Sequence, residues 1–256
     1  MKTKKIGIIV LGLILPAAIL LLWYYSTNFT STPESILPRI STVGRKFREM
    51  IQTGQLQEDL GISLGRVLKG FVLAALFGIL VGSIVGMSET VKRICLPTIT
   101  AIRQIPIIAW VPLIILWCGI GEASKVVIIV MAAFFPIMVN TMSGMIETPK
   151  GYVEVAKLYK LSRLKTFTKV YLPHALPNIL VGLKLGLGVS WMAVVAAELI
   201  ASLSGIGYRM SNARSLMQSD TVIVCMLVIG VVGIIMDKLI SIVFSLLTPW
   251  QKSNNK

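Results

Sequence analysis

Long apolar stretches separated by short polar ones dominate the chain. A helix needs about 20 mainly apolar residues to cross the hydrocarbon core of a bilayer. Six runs meet that length with few or no charged residues: 6–25, 70–88, 94–120, 126–146, 176–202 and 222–247. The pattern predicts an all-α polytopic membrane protein with about six transmembrane helices.

The polar stretches divide the chain into four parts. A first transmembrane span covers residues 1–25, and no small-residue cleavage site follows its last tyrosines, so we expect it to be retained. An external loop follows at 26–61, with a helix near 40–51. The main transmembrane domain covers 62–248, and a cytoplasmic tail covers 249–256. Three prolines in the run 94–120 predict that this span is kinked or broken.

The charged residues support this topology. Only 14% of the 256 residues are charged, 55% are hydrophobic, and the formal net charge is +14. With both termini inside, thirteen Lys and Arg residues fall on the inner face and seven on the outer face. The positive-inside rule therefore predicts a multi-pass inner-membrane protein with both termini cytoplasmic. Because topology accounts for the basic residues, we expect contact with membrane lipid and no nucleic-acid partner.

Glycines in two spans repeat at intervals of four residues. Gly78, Gly82 and Gly86 lie on one face of the second span, and Gly182 and Gly186 on one face of the fifth. Small residues at this spacing let two helix backbones approach closely within a bilayer. We interpret both stripes as helix-packing faces.

Four residues inside the apolar runs are candidates for a translocation pathway. They are Arg103, Trp110, Trp191 and Glu198. A charge inside the membrane is costly and usually faces protein or water. Arg103 has three possible roles: it attracts an anionic substrate, pairs with Glu198, or extends its charged group to the membrane surface. The two tryptophans either line a pathway or pack in the core. The adjacent pair 237–238 (Asp-Lys) is expected to bind neighbouring helices.

The segment 147–169 is too charged to cross a bilayer. It contains Glu154-Val155-Ala156 and, nine residues after Lys160, Val170-Tyr171-Leu172-Pro173. This spacing resembles the EAA loop of permease subunits in ATP-binding cassette (ABC) importers, which dock a cytoplasmic ATPase. We call residues 147–173 the EAA-like loop. The alternative is a basic amphipathic helix held by anionic lipid.

The resemblance assigns docking residues and also shows a departure. A helix opening near Pro149 is expected to place Glu154, Leu158 and Leu161 on one side. Where the family usually has glycine, this chain has Lys160. A residue with a side chain in the left-handed conformation is strained by about 1 kcal/mol, so the bend after the helix is in question. The expected ATPase-docking residues are Glu154, Ala156, Leu158, Lys160, Leu161 and Ser162.

The resemblance extends from about residue 63 to 247, through strings such as Arg103-Gln104-Ile105-Pro106 and Gly205-Ile206-Gly207-Tyr208. It is similar to the branch that imports aliphatic sulfonates, taurine and nitrate. The resemblance implies a type I ABC importer permease fold and alternating access driven by a separate ATPase dimer. It also implies a second permease subunit, as a homodimer, and an external substrate-binding protein.

Enzymatic chemistry is not expected in this chain. No G-x-x-x-x-G-K-[ST] string occurs, so a phosphate-binding loop is absent and ATP is used by the partner subunit. The three cysteines are far apart and His174 is the one histidine, so neither a cofactor nor a metal site is expected. An ion-coupled secondary transporter and a non-transporting scaffold are the alternative functions.

Overall fold

The computed structural model describes residues 2–30 and 33–247, with side chains from Ile14 onward. The predicted tail 249–256 lies outside the described residues. The described chain is all-helical, as predicted. Its helices are α1 Lys2–Phe29, α2 Ile40–Gln52, α3 Gln55–Met87, α4 Glu89–Arg103, α5 Ile107–Cys118, α6 Glu122–Ile146, α7 Lys150–Leu158, α8 Arg163–Thr166, α9 Leu172–Ala201, α10 Ile206–Ser215 and α11 Ser219–Leu247, and a π-helical turn, Phe167–Tyr171, joins α8 to α9.

Helices α3, α6 and α9 form the centre of the fold, and glycine explains how closely they pack. A Cβ atom added to Gly82 of α3 would lie 2.5 Å from the Met138 carbonyl oxygen of α6. On α9, a Cβ atom added to Gly186 would lie 2.7 Å from Ile137 of α6. The predicted glycine stripes are therefore confirmed as packing faces, and both are directed at α6.

The contacts also give the direction of each helix. Along α3 and α6 the contacts advance together, from Gly70 on Ile129 to Gly86 on Met145, so these two helices are parallel. Along α9 they run the opposite way. Two consecutive parallel spans require the intervening chain to cross the membrane in between, which is the task of the α4–α5 pair.

The α4–α5 pair is the broken span that the prolines predicted. The two helices meet at an angle of 94° around residues 104–106. Four described helices are long and apolar enough to cross a membrane, and this pair makes a fifth. Helix α1 covers the predicted first span, and the expected number of six is approximate.

Several helices extend beyond the apolar runs. Helix α3 starts at Gln55, fifteen residues before the apolar run that begins at residue 70. Its first turns contain residues with good helix propensity, such as Gln, Leu and Glu. Helix α2 lies where a helix was expected in the loop 26–61, and its buried Val43 and Met50 pack with the first turns of α11. The Arg66 end of α3 and the EAA-like loop lie at opposite ends of the helix bundle.

Candidate functional site

The EAA-like loop folds as helix α7, a tight turn and helix α8. Helix α7 ends at Leu158, and the chain then reverses. The Leu161 N–H donates to the Ala156 carbonyl oxygen at 3.0 Å, and the Lys160 N–H donates to the Lys157 carbonyl oxygen at 2.9 Å. This pair of bonds is a Schellman motif, which closes a helix end with one left-handed residue.

Lys160 is that left-handed residue, with φ of 51°. It occupies the position where the resemblance to the EAA loop expects glycine, and the bend is formed with lysine there. One expectation was wrong: Leu161 does not continue the helical face of Glu154 and Leu158, because the turn begins before it. The Ser162 hydroxyl caps α8 by accepting from the Lys165 N–H at 3.4 Å.

The predicted docking residues differ in exposure. Ala156 is 2% exposed and faces the interior, where its small side chain lets α7 pack closely. Leu158 is 81% exposed, and Glu154 is exposed without a hydrogen bond or ion pair to any described residue. The outward face thus offers a large apolar side chain and an unpaired carboxylate.

Sequence reasoning missed most of this outward face. Four further apolar residues are exposed although they belong to a segment too charged to cross a bilayer: Tyr152, Val155, Tyr159 and Leu164. The spacing of 152, 155 and 159 on a helix was the available signal. Between α7 and the start of α9 lies a cleft of about 680 Å³ whose lining includes Tyr159, Lys169 and His174. Exposed apolar patches of this kind mark protein-interaction sites.

A second cavity lies at the break between α4 and α5. It has a volume of about 540 Å³, and Arg103, Trp110, Phe135, Asn140 and Val189 are among its lining residues. The exposed Arg103 side chain ends α4, and α5 begins at Ile107 on the same cavity. The structure therefore brings Arg103 and Trp110 together, with a guanidinium and a helix N-terminus on one cavity.

Glu198 lies elsewhere, in a buried network at the opposite end of the bundle from the EAA-like loop. Its carboxylate accepts from the Arg66 Nη1 at 2.7 Å, the Ser63 hydroxyl at 2.9 Å and the Gly207 N–H at 3.0 Å. Arg66 also binds Glu122 of α6, with Nε to Oε2 at 2.8 Å. The alternative that Glu198 pairs with Arg103 is therefore wrong: its cationic partner is Arg66, which sequence reasoning did not identify.

Trp191 is also distant from the Arg103 cavity. Its indole N–H donates to the Ile229 carbonyl oxygen of α11 at 3.0 Å, and the side chain is buried between α9 and α11. On the same side, Asp237 forms the expected ion pair with a neighbouring helix, at 3.2 Å from the Lys184 Nζ. Lys238 forms no ion pair with the described residues, so that part of the expectation stays a prediction.

Comparison with known proteins gives the family. A family model described as "Binding-protein-dependent transport system inner membrane component" matches residues 74–252. The chain is 36% identical over 242 residues to the putative aliphatic sulfonates transport permease protein SsuC of Bacillus subtilis, which covers 94% of this chain and 88% of that protein. It is 34% identical over 248 residues to the taurine transport system permease protein TauC of Escherichia coli, covering 97% and 90%.

A third relative and two solved structures are also transporter proteins of this kind. The nitrate import permease protein NrtB of Synechocystis is 31% identical over 239 residues, covering 91% of this chain and 87% of that protein. An amino acid ABC transporter matches in fold with a TM-score of 0.62 and 18% identity, over 77% of this chain and 96% of that one. The MetNI methionine ABC transporter matches with a TM-score of 0.57 and 16% identity, over 71% and 92%. The chain therefore belongs to the inner membrane component family of binding-protein-dependent transport systems and is a permease subunit of an ABC importer.

Proposed function

We propose that this permease carries a small organic or inorganic anion, of the sulfonate, taurine or nitrate class, into the cell. An external binding protein delivers the substrate, and a cytoplasmic ATPase dimer that docks on the EAA-like loop supplies the energy. The observation that carries the proposal is the exposed apolar face of α7 with its unpaired Glu154. The relatives' names support the substrate class.

Docking is assigned to the outward side of the loop. Leu158 and Tyr159 supply apolar area that a partner can bury, and Glu154 supplies a charge for a basic partner group. Ala156 is buried and seats α7, the exposed Ser162 caps α8, and Lys160 and Leu161 form the turn between the two helices. Docking drives transport only if its free energy differs between the inward-open and outward-open states.

The translocation pathway is assigned to the cavity at the α4–α5 break. The Arg103 guanidinium and the N-terminus of α5 both favour an anion. Trp110 contributes an apolar wall. Trp191 and Glu198, the other candidate pathway residues, are held by buried contacts away from this cavity.

The assembly follows from the same proposal. The EAA-like loop and both termini lie in the cytoplasm, and the Arg66 end of the bundle lies outside. Two copies of this permease form the membrane part, and the chain needs no cofactor of its own because its partner uses ATP. Ion-coupled transport lacks support in the geometry, because the two acids inside the apolar runs, Glu198 and Asp237, are both ion-paired.

Charge reversal at α7 tests docking. We expect Glu154→Lys and Leu158→Asp to abolish recovery of the ATPase subunit with the permease from native membranes and to abolish ATP-dependent uptake. Glu58→Lys is the matched control, because Glu58 is also exposed but lies at the other end of the bundle. Normal ATPase recovery with both α7 variants would contradict the docking assignment.

Removal of the cavity cation tests the pathway. Arg103→Ala should lower uptake of an anionic substrate about tenfold, the equivalent of about 1.4 kcal/mol, while leaving ATPase recovery unchanged. Arg93→Ala serves as the control, since Arg93 is an exposed residue of the same helix that pairs with Glu89 and does not line the cavity. Equal uptake by wild type and Arg103→Ala at equal expression would exclude a role for Arg103 in substrate passage.

A further inference from the structure

A cluster of three charged side chains lies between α9 and α11, inside the apolar spans. The Lys184 Nζ is 3.2 Å from the Asp237 carboxylate, and the two side chains are 41% and 59% exposed. Lys238 follows Asp237 along α11, is also exposed, and forms no ion pair with a described residue. Two ammonium groups and one carboxylate leave one net positive charge on this surface. We call these three residues the mid-span cluster.

The mid-span cluster lies near the centre of both helices. Lys184 and Asp237 are each within four residues of the midpoint of their helix. Four residues of helix are about 6 Å long, whereas the hydrocarbon core of a bilayer extends roughly 15 Å to either side of its centre. The short Asp237 side chain does not reach the headgroups from this depth, and Lys184 is directed at Asp237. The cluster is therefore at the level of the lipid chains.

This depth limits what surrounds the cluster. A charge near the centre of a bilayer is costly when it faces lipid chains, so such charges face protein or a water-filled space. The described helices leave Lys184 and Asp237 about half exposed and Lys238 unpaired, so they do not supply the whole of that cover. Water or a second protein surface must supply the rest.

An open groove leads from the cluster toward the end of the bundle that carries Arg66. It has a volume of about 690 Å³, within the range of about 300–1,000 Å³ that is typical of small-molecule sites. Asp237 and Lys238 line one end of the groove, and its apolar lining extends along α9 to Leu199, two residues before that helix ends. Trp191 forms part of the wall. The groove thus connects the outer half of the span with the positive charge near its middle.

The groove is a neighbour of the Arg103 cavity on the surface of α9. Val189 lines the Arg103 cavity, and Met192, three residues later, lines the groove. Residues three apart in a helix are adjacent on its surface. Met192 is exposed, so no described helix covers α9 between the two spaces. Each space has a cation on its lining, Arg103 in one and Lys238 in the other.

A second copy of the permease packed directly on the groove does not neutralise the cluster. The acids inside the apolar runs are already paired, Glu198 with Arg66 and Asp237 with Lys184. A two-fold contact at this surface would also bring two net positive charges together. Water and a mobile anion compensate the charge without either cost. Charge complementarity therefore favours an aqueous passage over a closed protein interface.

We propose that the groove between α9 and α11 is a water-filled second stretch of the translocation pathway, in which the Lys238 ammonium, beside the Lys184–Asp237 pair, binds the passing anion near the middle of the membrane. The substrate class, a small sulfonate-like or nitrate-like anion, rests on the proposed function. The water access and the positive charge of the groove do not, and they are tested without a substrate.

Cysteine accessibility tests for water in the groove. Met192→Cys is placed in a chain with Cys95→Ser and Cys118→Ser, which retains the buried Cys225, and the assembled transporter is kept in native membrane vesicles opened by freezing and thawing. Charged thiol reagents need a thiolate in water. We expect labelling of Met192→Cys and none of Leu80→Cys, an exposed position on the side of α3 opposite its glycine stripe. Absence of labelling at Met192→Cys would overturn the proposal, because lipid or protein would then cover the groove.

Two methanethiosulfonates of opposite charge test the cluster itself. A positive charge raises the local concentration of anions. Relative to a free thiol in solution, Met192→Cys should react several-fold faster with the sulfonate reagent than with the trimethylammonium reagent. Lys238→Gln should reduce this preference several-fold, and Asp237→Asn should increase it, because two ammonium groups then remain. Lys69→Gln removes an exposed lysine outside the groove and should leave it unchanged. The same preference in all these variants would overturn the proposal.

Uptake of ethanesulfonate by the complete transporter separates this proposal from the proposed function. Lys238→Gln should lower uptake several-fold with normal recovery of the ATPase subunit. Uptake that falls in Arg103→Ala but not in Lys238→Gln would overturn the second stretch and leave the Arg103 cavity as the pathway. Failure of the wild type to carry ethanesulfonate would contradict the proposed substrate class, and the labelling experiments would still decide whether the groove holds water and attracts anions.

Discussion

At the residue scale, Lys160 shows that a left-handed helix end can be formed by a residue other than glycine. Its φ of 51° closes a Schellman motif at the end of α7, and the same motif recurs at the end of α10, where Met217 has φ of 56°. For residues with a Cβ atom the left-handed region costs roughly 1–2 kcal/mol. In the EAA-like loop this cost falls on the turn that positions the docking surface.

Replacement of Lys160 should therefore stabilise the loop. Lys160→Gly relieves the strain, and we expect it to stabilise the turn by about 1 kcal/mol, which slows hydrogen exchange of the Leu161 N–H about fivefold. Lys160→Ala is the control, because it removes the charge and retains the strain. Slower exchange in Lys160→Ala as well would show that charge, rather than backbone conformation, controls the turn.

Residue-scale reasoning from sequence alone reaches only part of the buried network. Glu198 is visible as an acid inside an apolar run, but its partner Arg66 lies 132 positions earlier. Arg66 lies near the start of an apolar run, a position where arginine is common without a buried partner, so the sequence does not mark it as the partner of Glu198. Partners at such separation follow from helix packing, which no local pattern reveals.

At the element scale, the spacing of glycine predicts which helix faces pack, and proline predicts where a span breaks. Both predictions were confirmed, because each depends on the local shape of one helix. The course of the EAA-like loop was predicted less well. Its reversal after Leu158 depends on Lys160 adopting a conformation that its side chain disfavours, so the continuous helical face drawn through Leu161 was wrong.

The packing of α3 on α6 gives a quantitative test. In Gly82→Ala the new Cβ atom would lie 2.5 Å from the Met138 carbonyl oxygen, so the helices must separate, and we expect a loss of about 1–3 kcal/mol. Gly65→Ala, in the same helix, meets nothing within 4 Å and should be neutral or slightly stabilising. The measurement is thermal unfolding in detergent. Equal melting temperatures for both variants would show that the interface relaxes at no cost.

At the scale of the whole molecule, the apolar runs suffice to predict the order of spans, since hydropathy reflects the bilayer and not the fold. They do not show how far each helix continues into water, as the start of α3 at Gln55 illustrates. The contrast between the two ends of the bundle became apparent only from the structure, which collects the exposed apolar face at one end and the buried ion pairs at the other.

The native cysteines test which end lies outside. Cys118 is exposed at the end of α5, on the Arg66 side, whereas Cys225 is buried in α11. In right-side-out vesicles, a membrane-impermeant maleimide should label the wild-type chain and fail to label Cys118→Ser. Labelling that appears only in inside-out vesicles and is lost in Cys118→Ser would reverse the proposed orientation; Cys95, which is partly exposed, is controlled for by that variant.

The close glycine contacts among α3, α6 and α9 also bear on how these helices move relative to one another. Helices α6 and α9 flank the EAA-like loop on its two sides, and the glycines of α9 bring its backbone close to α6. We therefore expect α3, α6 and α9 to move together as one unit when α7 is displaced. Arg66 lies at the opposite end of this unit from α7, and we expect the bent α4–α5 pair and α11, which packs less extensively on the three helices, to move more independently.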